Sequence, residues 1–144
     1  MKLIVAFFLG FCFALVTTAN AAEATVPEPL VRAMMVRVEA ILVGNFPEVA
    51  GLSKGKMPPV FMTELHRLGG SFDGTVIKIN ASDPPICFER TLAHQQTLLL
   101  LGKAIGKTPK ESEPAAIAVA AIISGGVSMP DCERRPGMVS ATFH

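Results

Sequence analysis

The sequence lacks several features that would indicate a function directly. It contains neither tryptophan nor tyrosine, so phenylalanine supplies every aromatic residue. Its basic residues form no cluster and the formal net charge is +1, so nothing in the sequence indicates a nucleic-acid or anionic-lipid partner. A G-x-S-x-G nucleophile elbow and a glycine-rich nucleotide fingerprint are both absent. Residues 53–56, SKGK, lack the glycine spacing of a phosphate-binding loop and the Ser or Thr after its lysine.

The first 21 residues have the pattern of a secretory signal peptide. Lys2 provides the positive start, residues 3–16 form an apolar run, and small residues occupy positions 19 and 21. We expect cleavage after Ala21 and export of residues 22–144 as a single small domain, either secreted or periplasmic. The apolar run is shorter than the roughly 20 residues of a membrane-spanning helix, so we expect no membrane span after cleavage.

Two cysteines remain once Cys12 leaves with the signal peptide. Exported chains meet an oxidising environment, which favours a disulfide between Cys87 and Cys132. The alternative is a pair of free thiols, or one reactive thiol, although no neighbouring residue in the sequence marks either sulfur as activated.

The segment Ser82–Gly106 predicts a central helix. Asp83 is a candidate N-cap and Pro84 suits the first helical position, while the two glycines at 102 and 106 favour an end in this region. Residues at three- and four-residue steps define one inward face. They are Cys87, Thr91, His94, Leu98, Leu101 and Ile105.

Two further helices are predicted around it. One opens at Pro29 and ends at Gly44-Asn45. The other opens at Pro114 and runs to Ser124, after a polar break at 107–113 that contains Pro109. Residues 125–144 contain prolines and a glycine without a sustained period, so we expect them to be irregular. The predicted inward face of the first helix comprises Leu30, Met34, Val38, Ile41 and Leu42.

Strand patterns are shorter. Residues 75–80 alternate with β-branched side chains after an Asp73-Gly74 turn, and residues 60–62 form a second candidate. A third short strand is possible at 48–52, whereas residues 22–29 are expected to form a flexible lead-in. The predicted fold class is therefore α+β, with helices packed on a short antiparallel sheet.

The segment GGSFDGTVIKINASDPPICFERTLAHQ places a strand and a loop before a helix that carries a histidine. This order resembles the stretch that leads into the H-E-x-x-H helix of small, exported, zincin-like metallopeptidase domains. The resemblance covers roughly residues 58–95 and implies a zincin-like layout. In that motif two histidines one turn apart bind one zinc ion, and the glutamate takes a proton from the metal-bound water.

When the sequence is aligned with this motif, it keeps one of the three functional residues of the motif. His94 stands at the first histidine, but Gln95 replaces the glutamate and Leu98 replaces the second histidine. Glutamine cannot act as a base and leucine has no donor atom, so a hydrolase of this type is disfavoured. A composite metal site at His94 is conceivable with donors from elsewhere in the chain. The candidate donors are Glu64, His66, Asp131 and Glu133.

A cysteine-histidine nucleophile is disfavoured by spacing. Cys87 and His94 would lie about two helical turns apart, roughly 10 Å, which is too far for a thiolate pair. The favoured interpretation of His94 is a hydrogen-bonded histidine in the core or half-buried at its edge.

We therefore interpret the protein as an exported domain with a non-enzymatic, binding or structural role on a degenerate metallopeptidase-like scaffold. Its partner would be another protein or a component of the cell envelope, and no cofactor is expected. One alternative is a zinc-dependent hydrolase with an unconventional metal site that uses His94. Another is a secreted structural or stress protein without a site. Because Phe143 is the only aromatic residue after Arg90, the segment beyond His94 could also be divergent or read in a shifted frame.

Overall fold

The computed structural model describes residues 23–64 and 69–126. Within these residues the chain forms three α-helices, two 3-10 turns and a four-stranded sheet, so the predicted α+β class is confirmed. The strands are β1 (Ala24–Thr25), β2 (Val60–Thr63), β3 (Gly70–Phe72) and β4 (Ile77–Asn80), and the α-helices are α1 (Glu28–Leu42), α2 (Pro85–Ile105) and α3 (Pro109–Ile123).

The sheet is mixed, which corrects the prediction of an antiparallel one. Its strand order is β1-β2-β4-β3. The outer pairs are antiparallel, but β2 and β4 are parallel, with Val60 opposite Ile77 and Thr63 opposite Asn80. After β2 the chain runs back as β3 at the far edge, and β4 then returns into the gap between them. Alternation of side chains predicts a strand but not which neighbour it pairs with.

The predicted lead-in contains a strand instead. Ala24 pairs with Met62 and Thr25 with Phe61, and the Val26 amide donates to the Val60 carbonyl at 2.8 Å. Val26 is buried, so a single apolar residue anchors this segment beside β2.

The predicted Asp73-Gly74 turn joins β3 to β4. The Asp73 carboxylate accepts from the Thr75 hydroxyl at 2.7 Å, from the Thr75 amide at 2.8 Å and from the Val76 amide at 2.9 Å. These hydrogen bonds, above all the one from the Thr75 hydroxyl, lower the pKa of Asp73 to about 2. Gly74 has a φ of 98°, a conformation that glycine adopts without steric cost.

Helix α1 buries a different stripe from the predicted one. Leu30 is 61% exposed and Ile41 is only partly buried, whereas Met34, Val38 and Leu42 lie in the core as expected. Apolar residues occur on both sides of this helix, so periodicity alone does not fix its rotation to within one residue. The buried residues of α1 are Val31, Met34, Met35, Val38 and Leu42.

Between α1 and β2 the possible strand at 48–52 is wrong. The chain forms 3-10 turns at Pro47–Val49 and Leu52–Lys54. The Glu39 carboxylate accepts from the Gly51 amide at 2.8 Å and the Ser53 amide at 2.6 Å. Burial opposes the charge of Glu39, but the hydrogen bonds from Ser53 and Gly51 outweigh it and lower the pKa of this carboxyl. The Gly51 and Ser53 amides of this loop are therefore already hydrogen-bonded to the Glu39 carboxylate.

Helix α2 is central and packs against α1, α3 and the sheet. It begins at Pro85 and ends at Gly106, whose φ of 65° gives a left-handed cap. The predicted N-cap is wrong: the N-cap is Pro84, one residue later, and the Asp83 carboxylate accepts from the Gly69 amide at 3.2 Å. A helix that contacts neighbours on several sides is buried on more than one face. Its buried residues are Cys87, Arg90, Thr91, Leu92, Ala93, Gln95, Gln96, Thr97, Leu99, Leu100 and Leu101.

Helix α3 begins five residues earlier than predicted. Thr108 is its N-cap: the hydroxyl accepts from the Glu111 amide, and the Glu111 carboxylate accepts from the Thr108 amide at 2.8 Å. This capping box, which is worth about 1 kcal/mol, offsets part of the cost of about 3 kcal/mol for Pro114 inside the helix. The spacing Thr108-x-x-Glu111 is a capping-box pattern present in the sequence. Pro109 was instead interpreted as a helix breaker, although proline suits the first helical position.

The core lies where the three helices meet the sheet. Val38, Val49, Ile77, Ile79 and Leu101 are fully buried there. In the described part of the chain, no helix is long and apolar enough to cross a membrane. The predicted signal peptide and the predicted irregular segment from 127 onward lie outside the described residues.

Candidate functional site

His94 links α2 to α3, the two helices that pack most extensively against each other. It lies on the third turn of α2 with its side chain 13% exposed, and its Nε2 lies 3.0 Å from Oε1 of Glu113 on α3. The Glu113 side chain is 47% exposed, so the pair lies at the edge of the core. This is a half-buried, hydrogen-bonded histidine with a carboxylate partner that the sequence analysis did not name.

The donors around His94 do not make a metal centre. Among residues 23–64 and 69–126, no three His, Cys, Asp or Glu side chains group closely enough to hold a metal ion. Glu64 lies within hydrogen-bond reach of Ser82, whose hydroxyl donates to it at 2.7 Å. His66, Asp131 and Glu133 lie outside the described residues.

Cys87 is buried in the first turn of α2. Cys132, its predicted partner, lies outside the described residues, so the Cys87–Cys132 disulfide stays a prediction. Burial of Cys87 makes an accessible, reactive thiol at this position unfavourable.

Gln95 and Leu98, which occupy the other two motif positions, line a surface groove. Its first half has a volume of about 420 Å³ and lies between the β3–β4 hairpin, the C-terminal half of α2 and the start of α3. Phe72 and Gly74 form the hairpin wall, and Leu99 lies on the helix wall. The full lining of this half is Phe72, Gly74, Gln95, Leu98, Leu99, Gly102, Lys103, Lys107 and Pro109.

A second half of about 320 Å³ continues the groove toward the segment before β2. The two halves share Phe72, Gly74, Leu99 and Lys103, so they form one continuous depression. The rest of the second half is lined by Lys56, Met57, Pro58, Pro59 and Thr75. We call the whole depression the lysine-rimmed groove, because Lys56, Lys103 and Lys107 line it.

The three rim lysines come from different parts of the chain. None of them forms an ion pair with an acidic side chain among the described residues. The Lys107 ammonium lies 5.1 Å from the centroid of the Phe46 ring, a cation-π contact that orients it. Among the described residues no aspartate or glutamate lines either half, so the groove combines apolar walls with the positive charge of three lysines.

Sequence reasoning missed most of this groove. Gln95 was predicted only as a departure from a catalytic motif, and Leu98 as such a departure and as part of the inward face of the helix. Lys56, Lys103 and Lys107 carried no signal because they are spread over two segments of the sequence. Phe72 had one available signal, its position beside the Asp73-Gly74 turn, which places it at the end of a hairpin strand.

The sequence matches no protein-family model, and neither a curated protein nor a solved structure matches the chain. The resemblance to zincin-like domains therefore rests on the sequence pattern alone.

Proposed function

We propose that this protein is an exported binding domain without hydrolase activity, built on a degenerate metallopeptidase-like scaffold, and that the lysine-rimmed groove is its binding site. The observation that carries the proposal is the position of Gln95 and Leu98 on the groove wall. In the zincin-like motif these positions hold the base and a metal ligand. Here an amide and an isobutyl group can contact a ligand but cannot activate water.

The groove also has the general form of a ligand site. Its walls are mostly apolar, and few polar groups converge on it, which is the usual composition of small-molecule pockets. Its volume of about 420 Å³ in the first half lies within the range of about 300 to 1,000 Å³ of such pockets.

The alternative, a zinc-dependent hydrolase that uses His94, has one observation in its favour. His94 Nε2 and Glu113 Oε1 are both metal-binding atom types, and they lie 3.0 Å apart. Catalytic zinc takes three protein ligands and keeps one position for water. The described residues supply two donors at this point, so they do not fit a zinc centre, and we derive no catalytic step through zinc.

Zinc analysis of the purified protein separates the two functions. We expect less than stoichiometric zinc, with no change in His94→Gln or Glu113→Gln. Circular dichroism would verify that both variants fold. One zinc ion per chain, lost in the folded His94→Gln variant, would overturn the proposal in favour of the hydrolase.

Binding to the groove can be tested with Nile red, a neutral apolar dye. We expect fluorescence enhancement with the native protein and its loss in Leu98→Arg, which places a charge in the groove. The matched control is Ile122→Arg on α3, because Ile122 is apolar, 63% exposed and outside the groove lining. Equal dye binding by both variants would contradict a site in the groove.

A further inference from the structure

We propose that the ligand of the lysine-rimmed groove is a long-chain carboxylate, with its acyl chain against Phe72, Leu98 and Leu99 and its carboxylate at Lys103. This assignment of a ligand class rests on the proposed function, because it takes the groove to be the binding site. It names the chemistry of the ligand, an anion with an extended apolar tail.

The positive charge of the groove favours an anion. Lys56, Lys103 and Lys107 line it, and no ion pair to a described acidic residue neutralises them. The nearest acidic residues in the sequence are already engaged. Asp73 binds the hairpin turn, and Glu111 accepts from the Thr108 amide and hydroxyl at 2.8 and 3.0 Å. After the hydrogen bonds from Thr108, the charge of Lys107 also lowers the pKa of Glu111, and the Lys107 ammonium contacts the Phe46 ring. Lys56 and Lys103 are therefore the rim cations best placed to meet a ligand.

Lys103 is the best-placed cation for a carboxylate. It lines both halves of the groove, whereas Lys56 lines only the second half and Lys107 only the first. A carboxylate at Lys103 leaves the tail free to follow the apolar wall of α2, where Leu98 and Leu99 face the groove. Lys107 adds positive potential from the first half.

The lining favours an acyl chain over a peptide. A peptide carries a backbone donor and acceptor at every residue, and each needs a partner when water is displaced. In the first half, the only uncharged side chain of the lining with hydrogen-bonding atoms is Gln95. An acyl chain needs no such partners and gains roughly 0.8 kcal/mol for each methylene group that it buries.

Displacement of Nile red from the purified protein tests the assignment. The competitors are laurate, dodecanol and dodecyltrimethylammonium, which share one chain length and differ in charge, each below its micellar concentration. We expect laurate to displace the dye best and the cation to displace it least. Lys103→Gln is expected to weaken laurate about fivefold and to leave dodecanol unchanged, the effect of one partly exposed ion pair. Lys110→Gln, which removes an exposed lysine outside the groove, is the matched control.

The outcomes separate this assignment from the proposed function. If Nile red binds in a Leu98-dependent manner but the three amphiphiles compete equally, the ligand class is wrong and the groove remains the binding site. The same holds if an acidic, apolar peptide displaces the dye better than laurate does. Equal weakening of laurate by Lys103→Gln and Lys110→Gln would also overturn the carboxylate position. Failure of Nile red to bind the native groove would instead overturn the proposed function.

Discussion

His94 Nε2 lies 3.0 Å from Glu113 Oε1, and this contact joins the central helix α2 to α3. The contact accounts for the histidine without a metal ion, because a half-buried ring nitrogen with a carboxylate partner is satisfied by hydrogen bonding. It also makes the pair a measurable link between the two helices.

A double-mutant cycle with His94→Gln and Glu113→Gln should give a coupling free energy of about 0.5 to 1 kcal/mol in urea unfolding at neutral pH. Glu113 is 47% exposed, so water competes for its carboxylate and keeps the coupling small. The control cycle combines His94→Gln with Glu48→Gln, for which we expect no coupling. Equal coupling in both cycles would show that the contact contributes nothing specific.

Gly70 is predicted to be intolerant of any side chain. A Cβ at this position would lie 2.6 Å from the Lys78 carbonyl oxygen and 2.8 Å from Thr91 Cγ2. Gly70→Ala must therefore separate β3 from β4 or from α2, and we expect a loss of about 1 to 3 kcal/mol in the free energy of unfolding. The control is Gly44→Ala, where nothing lies within 4 Å of the added Cβ. A Gly70→Ala variant as stable as Gly44→Ala would contradict the close packing of the hairpin on α2.

Thr108 is predicted to stabilise α3 through its capping hydroxyl. Thr108→Ala removes the acceptor for the Glu111 amide and should reduce the free energy of unfolding by about 1 kcal/mol. Thr108→Ser keeps the hydroxyl and should retain most of the stability. Chemical denaturation of the three proteins measures both effects, and identical midpoints would rule out the cap as a source of stability.

Asp73 is predicted to contribute to the loss of fold stability at acid pH. Its pKa is lowered from the usual 3.8 to about 2, chiefly by the hydrogen bond from the Thr75 hydroxyl. The folded state therefore binds this proton less readily than the unfolded state. The carboxylate stabilises the fold above about pH 4, and that contribution is lost as the pH falls through about 2.

Thermal unfolding of Asp73→Asn between about pH 4 and about pH 2 checks this contribution, since that interval spans the two pKa values. The melting temperature of the variant should fall less steeply with decreasing pH than that of the native protein. Glu48→Gln is the control, because Glu48 forms no hydrogen bond through its side chain to a described residue. Parallel pH profiles for the native protein and Asp73→Asn would refute the role of the turn.

The Cys87–Cys132 disulfide is predicted to be present in the exported protein. Alkylation under denaturing, non-reducing conditions should find no free thiol at these positions. For a loop of this length the chain-entropy model gives a stabilisation of about 4 kcal/mol, so reduction should lower the unfolding midpoint strongly. Recovery of two alkylated cysteines per chain would favour the alternative of free thiols.

The hypothesis of a shifted reading frame after His94 has physical observations against it. Beyond this residue the chain buries Leu99, Leu100 and Leu101 on α2 and then forms a capping box at the start of α3. A sequence in which periodicity and capping agree with one fold has the local consistency of a chain selected to fold.

Local signals in the sequence predicted the elements closest to them. Alternation over 75–80 predicted the strand found at 77–80, and the apolar run 60–62 predicted the strand found at 60–63. The Asp73-Gly74 dipeptide predicted the hairpin turn, and the glycines at 102 and 106 predicted the region in which α2 ends. Where two signals competed, the prediction was wrong. Asp83 is a residue type that suits an N-cap, but its carboxylate accepts a hydrogen bond from the Gly69 amide. Proline usually breaks a helix, but Pro109 is the first residue of α3.

By itself the sequence determined the α+β class and the central position of α2, because composition and periodicity are properties of short segments. Only the tertiary structure decided the parallel pairing of β2 with β4, the Glu113 partner of His94 and the collection of three lysines around one apolar groove. The physical reason is distance along the chain. Contacts between residues far apart in sequence depend on how whole elements pack, and no local pattern encodes that arrangement.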